Sequence, residues 1–402
     1  MAPDCRQNCG CYQIDCASPY PTGPNDKDGA HPVTLNLTYF LSHPIQYQSP
    51  LLRRLALEDD LSFRVVYEHD FSTRTYFDQG FQSEVRWDIP LREGYRSDLL
   101  ADVSVNEVLR ECDAVWFHGW QSKLFRRILK DASRRRKLTL MRGENWFGAM
   151  PDGYGVMRLA RRTYHKSIFR YCSAFLTIGK KNREYYLDHG VSQARLFDMP
   201  YAVDNQTFLQ RASNTMIAEV RQSLDVTPEQ KMILYAGKLQ RRKNPHHLLE
   251  ALKTISHNAA TPAVLVFAGD GEMRRELEVE AAASPWIKFV GFKNQTEMPT
   301  YYAAADVFVL PAEREPWGLA INEAMASGTA VVASDQCGAA YDLITPETGR
   351  MTEAGNMDAL AGAISEILPR SKEMGTAAQA HVKLWDFEAD VRGILSALEV
   401  LV

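Results

Sequence analysis

From Val33 onward, short β-branched or aromatic runs alternate with helical stretches, and the whole series occurs twice. The first series predicts strands at Val33–Leu41, Phe63–Tyr67, Asp113–Phe117, Lys137–Met141 and Ala174–Ile178, with helices such as Gln121–Ala132 and Tyr154–Tyr171 between them. The second predicts strands at Met232–Ala236, Ala263–Ala268, Ile287–Val290, Val307–Leu310 and Ala330–Ala333. Its helices are expected near Pro245–Thr254, Glu272–Ala282, Met298–Ala304, Leu319–Ala326 and Met357–Leu368. Such alternation demands parallel sheets covered on both faces. The expected fold class is therefore α/β, with two doubly wound Rossmann-like domains, residues 32–204 and 205–385, facing each other across a cleft. Residues 205–230, where the pattern lapses into polar residues, read as the linker and hinge. Residues 386–402 read as a closing amphipathic helix that packs back on the first domain. Ligands belong beyond the carboxyl ends of the strands, in the cleft.

Charge and cysteine usage narrow the function. Lys plus Arg number 46 and Asp plus Glu 50, a net charge of −4 that excludes a dedicated nucleic-acid binder. No apolar run approaches the about 18 residues of a membrane-spanning helix. The first residues carry no apolar core of a secretory leader, so a cytoplasmic enzyme or binding protein is expected. Four of the seven cysteines, Cys5, Cys9, Cys11 and Cys16, crowd into a Pro-, Gly- and Asn-rich stretch, residues 1–31. They lack the paired spacing of a zinc site, and a loose tail is the favoured reading over a metal centre. Cys112, Cys172 and Cys337 sit in apolar runs and read as small core residues.

The densest chemistry lies in VFVLPAEREPWGLAINEAMASG, Val307 to Gly328. A strand ends at Pro311, a polar turn carries Glu313, Arg314 and Glu315, and Gly318 precedes a helix starting near Leu319. The free N–H groups of such a helix start favour an anion. Glu315 lies before the helix and Glu323 about one turn inside it, so two carboxylates flank one helix start. Taken alone, the pair reads more readily as a capping Glu and a solvated helix Glu.

With its neighbours Pro316, Trp317, Gly318, Leu319 and Glu323–Gly328, the segment resembles the donor-binding motif of glycosyltransferase family 4, the glycosyl transferases group 1 of the GT-B fold. Three further segments agree in order. YAGKLQRRKNP, Tyr235 to Pro245, is similar to the family's phosphate-binding turn, with Gly237, Lys238 and Lys243; the first cation is more often Arg there, and Lys keeps the charge without the bidentate fork. VFAGDGEMRREL, Val266 to Leu277, also fits, and FVGFKNQ places Phe292 and Lys293 where the family lines its base pocket. In the first half the likeness is thinner: AVWFHGW carries His118, LMRGENW carries Arg142 and Glu144, and YAVDNQTF resembles the segment at the domain junction. The loop SHPIQYQSP lacks the paired glycines many members have, so His43, Gln46 and Tyr47 are expected to face an acceptor instead.

The resemblance implies a retaining, hexosyl-type glycosyltransferase that moves a sugar from a nucleotide-diphosphate sugar to a glycan or lipid-linked acceptor hydroxyl, in cell-surface polysaccharide or glycolipid biosynthesis. Donor contacts then fall to Gly237, Lys238, Lys243, Phe292, Lys293, Glu315, Trp317, Gly318, Leu319 and Glu323. Acceptor contacts fall to His43, Gln46, Tyr47, His118, Arg142 and Glu144, although Glu144 and Arg142 also read as a plain ion pair. The catalytic set is Glu315, His118, Lys238 and Lys243. The two lysines and the helix start neutralise the departing diphosphate, Glu323 holds the ribose diol and Glu315 a sugar hydroxyl. No metal or other cofactor is expected, and no Asp-x-Asp pair stands in these loops. Two alternatives stay open: a GT-B-fold sugar-nucleotide epimerase, and a non-catalytic nucleotide- or glycan-binding module.

Between Lys123 and Arg170 fourteen Lys and Arg stand against three Asp and Glu. Leu124, Phe125, Ile128 and Leu129 interleave with the first basic set. Basic helices over residues 123–137 and 158–170 predict either a solvated face or contact with an anionic membrane surface, placing the protein peripherally on the inner face.

Overall fold

The computed structural model describes residues 34–150, 155–257 and 263–401. The N-terminal cysteine stretch, and with it the choice between tail and zinc site, lies outside them.

The first half is built on strands β1 (Leu35–Leu41), β2 (Leu61–Tyr67), β3 (Tyr76–Asp78), β4 (Ser83–Val85), β5 (Arg96–Leu99), β6 (Ala114–His118), β7 (Leu138–Arg142), β8 (Ala174–Thr177) and β9 (Leu196–Asp198). The second uses β10 (Met232–Ala236), β11 (Val264–Ala268), β12 (Ile287–Gly291), β13 (Val307–Leu310), β14 (Ala330–Ser334) and β15 (Gly349–Thr352). Seven strands form one parallel sheet in the order β5-β2-β1-β6-β7-β8-β9, and six form the other in the order β12-β11-β10-β13-β14-β15. β3 and β4 pair antiparallel as a separate hairpin.

Central strands are apolar throughout because helices cover both faces: every residue of β10, β11, β13 and β14 is buried. In the first sheet Tyr39 of β1 stacks on Trp116 of β6 with ring centroids 3.7 Å apart. Strand order reverses between β1 and β6 and again between β10 and β13. Those are the two points where an open α/β sheet leaves a crevice at its strand ends. The loops after β1, β10 and β13 line the site described below, joined by residues that follow β7 and β9.

Three differences from the sequence reading have physical causes. The polar stretch read as a linker holds two helices, Asn205–Gln210 and Asn214–Ser223. The residues that broke the apolar period are their N-caps: Asp204 accepts from the Thr207 amide and Ser213 from the Met216 amide. The second difference concerns the basic helix Lys123–Arg134, whose Phe125, Ile128 and Leu129 are buried in the protein's own core and present nothing apolar outward. Exposed apolar side chains instead cluster on the helix Gly155–Phe169, where Val156 is 84%, Met157 60% and Leu159 66% exposed.

Arg142 is the third. Expected to meet an acceptor, it is 1% exposed. Its guanidinium donates to Asp390 at 2.8 Å and to the carbonyls of Met199 and Pro200 at 2.9 and 3.0 Å. Asp390 belongs to the closing helix Phe387–Leu401, which lays Val391, Ile394, Ala397 and Leu398 into the core of the first sheet. Gly393 lets it do so, since a Cβ there would sit 2.0 Å from the Asp198 carbonyl. Arg142 therefore ties the closing helix to the first half and has no face left for a ligand. Cys112, Cys172 and Cys337 are buried free thiols.

Candidate active site

The loop after β13 is held before it reaches the helix. The Glu315 amide donates to the Gln336 carbonyl at 3.1 Å, and the Gly338 amide donates to the Glu315 carbonyl at 3.2 Å. Gly318 then adopts φ +101°, a conformation that favours glycine, and caps the helix Leu319–Ala326. The loop after β10 winds into a 3₁₀ turn, Arg241–Lys243, and Asn244 at φ +49° reverses it. Asn244 ties the two loops together by donating to the Pro311 carbonyl at 3.3 Å.

This geometry brings Lys243 Nζ to 2.9 Å from Glu315 Oε2, with Arg242 3.5 Å from the same oxygen. Both side chains of the closer pair are largely buried. Glu323, inside the helix, accepts from the Tyr302 hydroxyl at 2.7 Å. Burial pushes the Glu323 carboxyl up to about 7, although the Tyr302 hydrogen bond and Lys243 work to lower it. Glu315, Glu323, Lys238, Lys243, Gly237, Phe292, Lys293, Trp317, Gly318 and Leu319 all line one cavity of about 500 Å³. The ten donor-side residues singled out from the sequence are thus brought together.

On the opposite wall stand Gln46, Tyr47, Glu144 and Tyr201. The Tyr201 hydroxyl donates to Glu144, lies 3.1 Å from His118 Nε2, and Tyr47 reaches the same Glu144 oxygen at 3.5 Å. Burial works to raise the Glu144 carboxyl, but His118, Tyr201 and Arg142 together leave it below the usual carboxylate range. The Arg142 guanidinium lies 4.6 Å above the Tyr201 ring and so supports Glu144 from behind instead of pairing with it. His118 does not line the cavity; it stands one hydrogen bond back, behind Tyr201 and Glu144. His43 is turned away, bonded to Ser42 and stacked 4.7 Å from Phe71.

Several lining residues were not singled out from the sequence. Tyr302, in YYAAADVFVLP, was read only as part of a helix, and Tyr201 only as part of a junction. Phe81 and Trp87 come from a segment with no strand or helix period at all. Trp317 anchors the two halves: its indole donates to Asn322 at 2.9 Å, and Asn322 donates to the Tyr201 carbonyl at 3.0 Å. Among the described residues no group of three His, Cys, Asp or Glu side chains is placed to hold a metal ion.

Two doubly wound parallel sheets whose switch-point loops face one cleft, with cations and a helix start on one wall, define a GT-B-fold protein. Residues 216–381 match the family described as Glycosyl transferases group 1. Over 154 residues the chain is 36% identical to an uncharacterized glycosyltransferase of Methanocaldococcus jannaschii, spanning 37% of this chain and 38% of the relative. Over 173 residues it is 34% identical to a GDP-mannose-dependent alpha-(1-6)-phosphatidylinositol dimannoside mannosyltransferase of Mycobacterium tuberculosis, spanning 43% of each. The matched region is thus well under two thirds of these relatives' length. The fold likeness extends further: the Anabaena HepE protein, crystallised with UDP and glucose, superposes with a TM-score of 0.69 at 17% identity, covering 91% of this chain and all of that one.

Proposed function

We propose that this chain is a retaining glycosyltransferase that moves a sugar from a nucleotide-diphosphate sugar to the hydroxyl of a glycan or lipid-linked acceptor. The observation that carries the reading is the convergence of Lys238, Lys243, Glu315, Glu323 and the Gly318–Leu319 helix start on one cavity. A departing nucleoside diphosphate gains negative charge as the glycosidic bond breaks. Lys243, held at 2.9 Å by Glu315, has further protons to give to that charge, and the helix start adds its amides. Glu315 Oε1 accepts from a sugar hydroxyl while Oε2 keeps Lys243 in place. Glu323 accepts from the ribose diol. With these cations at the diphosphate, no metal and no separate acid on the leaving oxygen is required.

Glu144 and Tyr47 face the donor side across the cavity and hold the incoming hydroxyl, with Tyr201 and His118 fixing the carboxylate. Retention follows a front-face course, in which the departing phosphate helps to take the acceptor proton. Two relatives are a phosphatidylinositol dimannoside mannosyltransferase and a glycosyltransferase of lipopolysaccharide core biosynthesis, which favours a lipid-linked acceptor in glycolipid or cell-surface polysaccharide biosynthesis. Val156, Met157 and Leu159, flanked by Arg158, Arg161 and Arg162, would then rest on an anionic leaflet at its inner face. No helix among the described residues is long and apolar enough to cross a membrane.

Incubation with UDP-, GDP- and ADP-sugars and with lipid or glycan acceptors tests the reading through nucleotide release. Acceptor-dependent release of one nucleoside diphosphate is expected, with the sugar's anomeric configuration kept. Release of an epimerised nucleotide sugar, or binding without release, contradicts it.

A further inference from the structure

The hairpin β3–β4 and the strap that follows it, residues 76–88, belong to the first half but lie on the second. Asp88 accepts from the Thr296 amide at 3.1 Å and from the Thr296 hydroxyl, and Asn294 donates to the Arg86 carbonyl at 2.6 Å. Phe81 and Trp87 set their ring edges against Phe292, with centroids 4.9 and 5.7 Å away. At the tip, Lys238 Nζ donates to both oxygens of Asp78, at 2.8 and 3.1 Å. The Lys238 ammonium also lies 4.9 Å from the Phe81 ring. The hairpin tip is pressed so closely on this lysine that a Cβ at Gly80 would stand 2.5 Å from its Cδ.

Two cations of the cavity wall are thus already paired with protein carboxylates. Glu315 takes Lys243, and Asp78 takes Lys238. Asp78 engages the Lys238 ammonium with both oxygens, and Phe81 and Gly80 crowd the same group, whereas Glu315 holds Lys243 through one oxygen; an entering diphosphate therefore finds Lys243 open to it and meets Asp78 at Lys238. Glu315 belongs to the same loop system as Lys243 and stays with it. Asp78 comes from the other half of the protein and is free to leave with its hairpin.

We propose that Asp78 is a place-holder for the donor's diphosphate: it occupies Lys238 in the empty protein and yields it when the nucleotide enters. Resting on the donor-site reading above, this adds a residue that sets donor affinity and a motion of the hairpin tip. The root of the segment stays fixed by Asp88, Asn294 and Thr296, so Trp87 remains beside Phe292 at the base end of the cavity. Only the tip, residues 78–81, exchanges partners.

Asp78→Asn tests this without disturbing the turn, because Asn keeps an oxygen to accept from the Gly80 and Phe81 amides, which Asp78 bonds at 2.8 and 3.0 Å. Calorimetry with UDP, GDP and ADP, and with the matching nucleosides, gives the readout on the full chain. Asp78→Asn is expected to bind its preferred nucleoside diphosphate about fivefold or more tighter than wild type, with nucleoside affinity within about twofold. In a Lys238→Ala background the same substitution is expected to have no effect, because the two residues act through one contact. Unchanged or weakened diphosphate binding by a folded Asp78→Asn protein overturns the proposal, as does an equal gain in the Lys238→Ala background. Wild-type protein that binds none of the three diphosphates overturns the donor-site reading itself, a distinct result.

Discussion

Tyr302 donates its hydroxyl to Glu323 at 2.7 Å, within a wall dry enough to push that carboxyl up to about 7. The ordinary value is 4.5. A carboxyl raised on folding leaves the folded state holding the extra proton between those two values. Stability therefore falls as pH rises from about 4.5 to about 7, and the loss is complete above that window. Glu323→Gln should raise the melting temperature at pH 8 and leave it nearly unchanged at pH 5. An equal shift at both pH values counts against a buried, raised carboxyl.

The same residue sets a pH dependence of ligand binding. A ribose diol brings two donors and needs the ionised acceptor. Nucleotide affinity should drop as pH falls from 8 to 6, more steeply in wild type than in Glu323→Gln, where the ligand's own titration is all that remains. Tyr302→Phe removes a donor to the carboxylate and should move the wild-type transition to higher pH. Identical profiles for wild type and Glu323→Gln would remove Glu323 from the site.

Arg142 and Asp390, 248 residues apart in the chain, bind the closing helix to the first half. Breaking a buried pair from one side leaves an uncompensated charge and costs about 3–5 kcal/mol. Asp390→Ala should show a loss of that order in denaturant unfolding, whereas replacing both residues by apolar side chains should recover most of it. A loss below about 1 kcal/mol for Asp390→Ala would mean that the pair does not hold the helix.

The exposed apolar face of the helix Gly155–Phe169 narrows the membrane prediction to the second of the two basic helices that the sequence suggests. Asp at Val156, Met157 and Leu159 should abolish flotation with anionic liposomes at low salt, while nucleotide binding stays intact. Substituting Phe125 or Ile128, buried on the neighbouring basic helix, should unfold or destabilise the protein instead. Flotation unaffected by the triple change would remove this face as the contact.

What could be read from the sequence followed a local rule. Strands β10 and β13 and the helices Met298–Ala304 and Leu319–Ala326 lie where their apolar runs and glycine punctuation place them. The donor wall was legible because its residues come from three short loops and one helix start, each with a fixed local spacing. The hairpin β3–β4 was not: its strands are three residues long, too short for a period to register. Partners distant in sequence were equally hidden. Arg142 reads as an acceptor contact or a partner of Glu144 until Asp390 returns 248 residues later, and Lys238 reads as an open phosphate ligand although Asp78 stands on it. The helices at 205–223 read as a linker in the sequence because their capping residues are polar, which is what a helix start requires.

The central claim is that a diphosphate binds between Lys238, Lys243 and the Gly318–Leu319 helix start. Calorimetric titration of wild type, Lys243→Ala and Glu315→Gln with the preferred nucleoside diphosphate tests it most directly. The account predicts measurable wild-type binding that falls by about tenfold or more in Lys243→Ala, with a smaller loss in Glu315→Gln as its grip on Lys243 loosens. Wild-type affinity in a folded Lys243→Ala protein would contradict it.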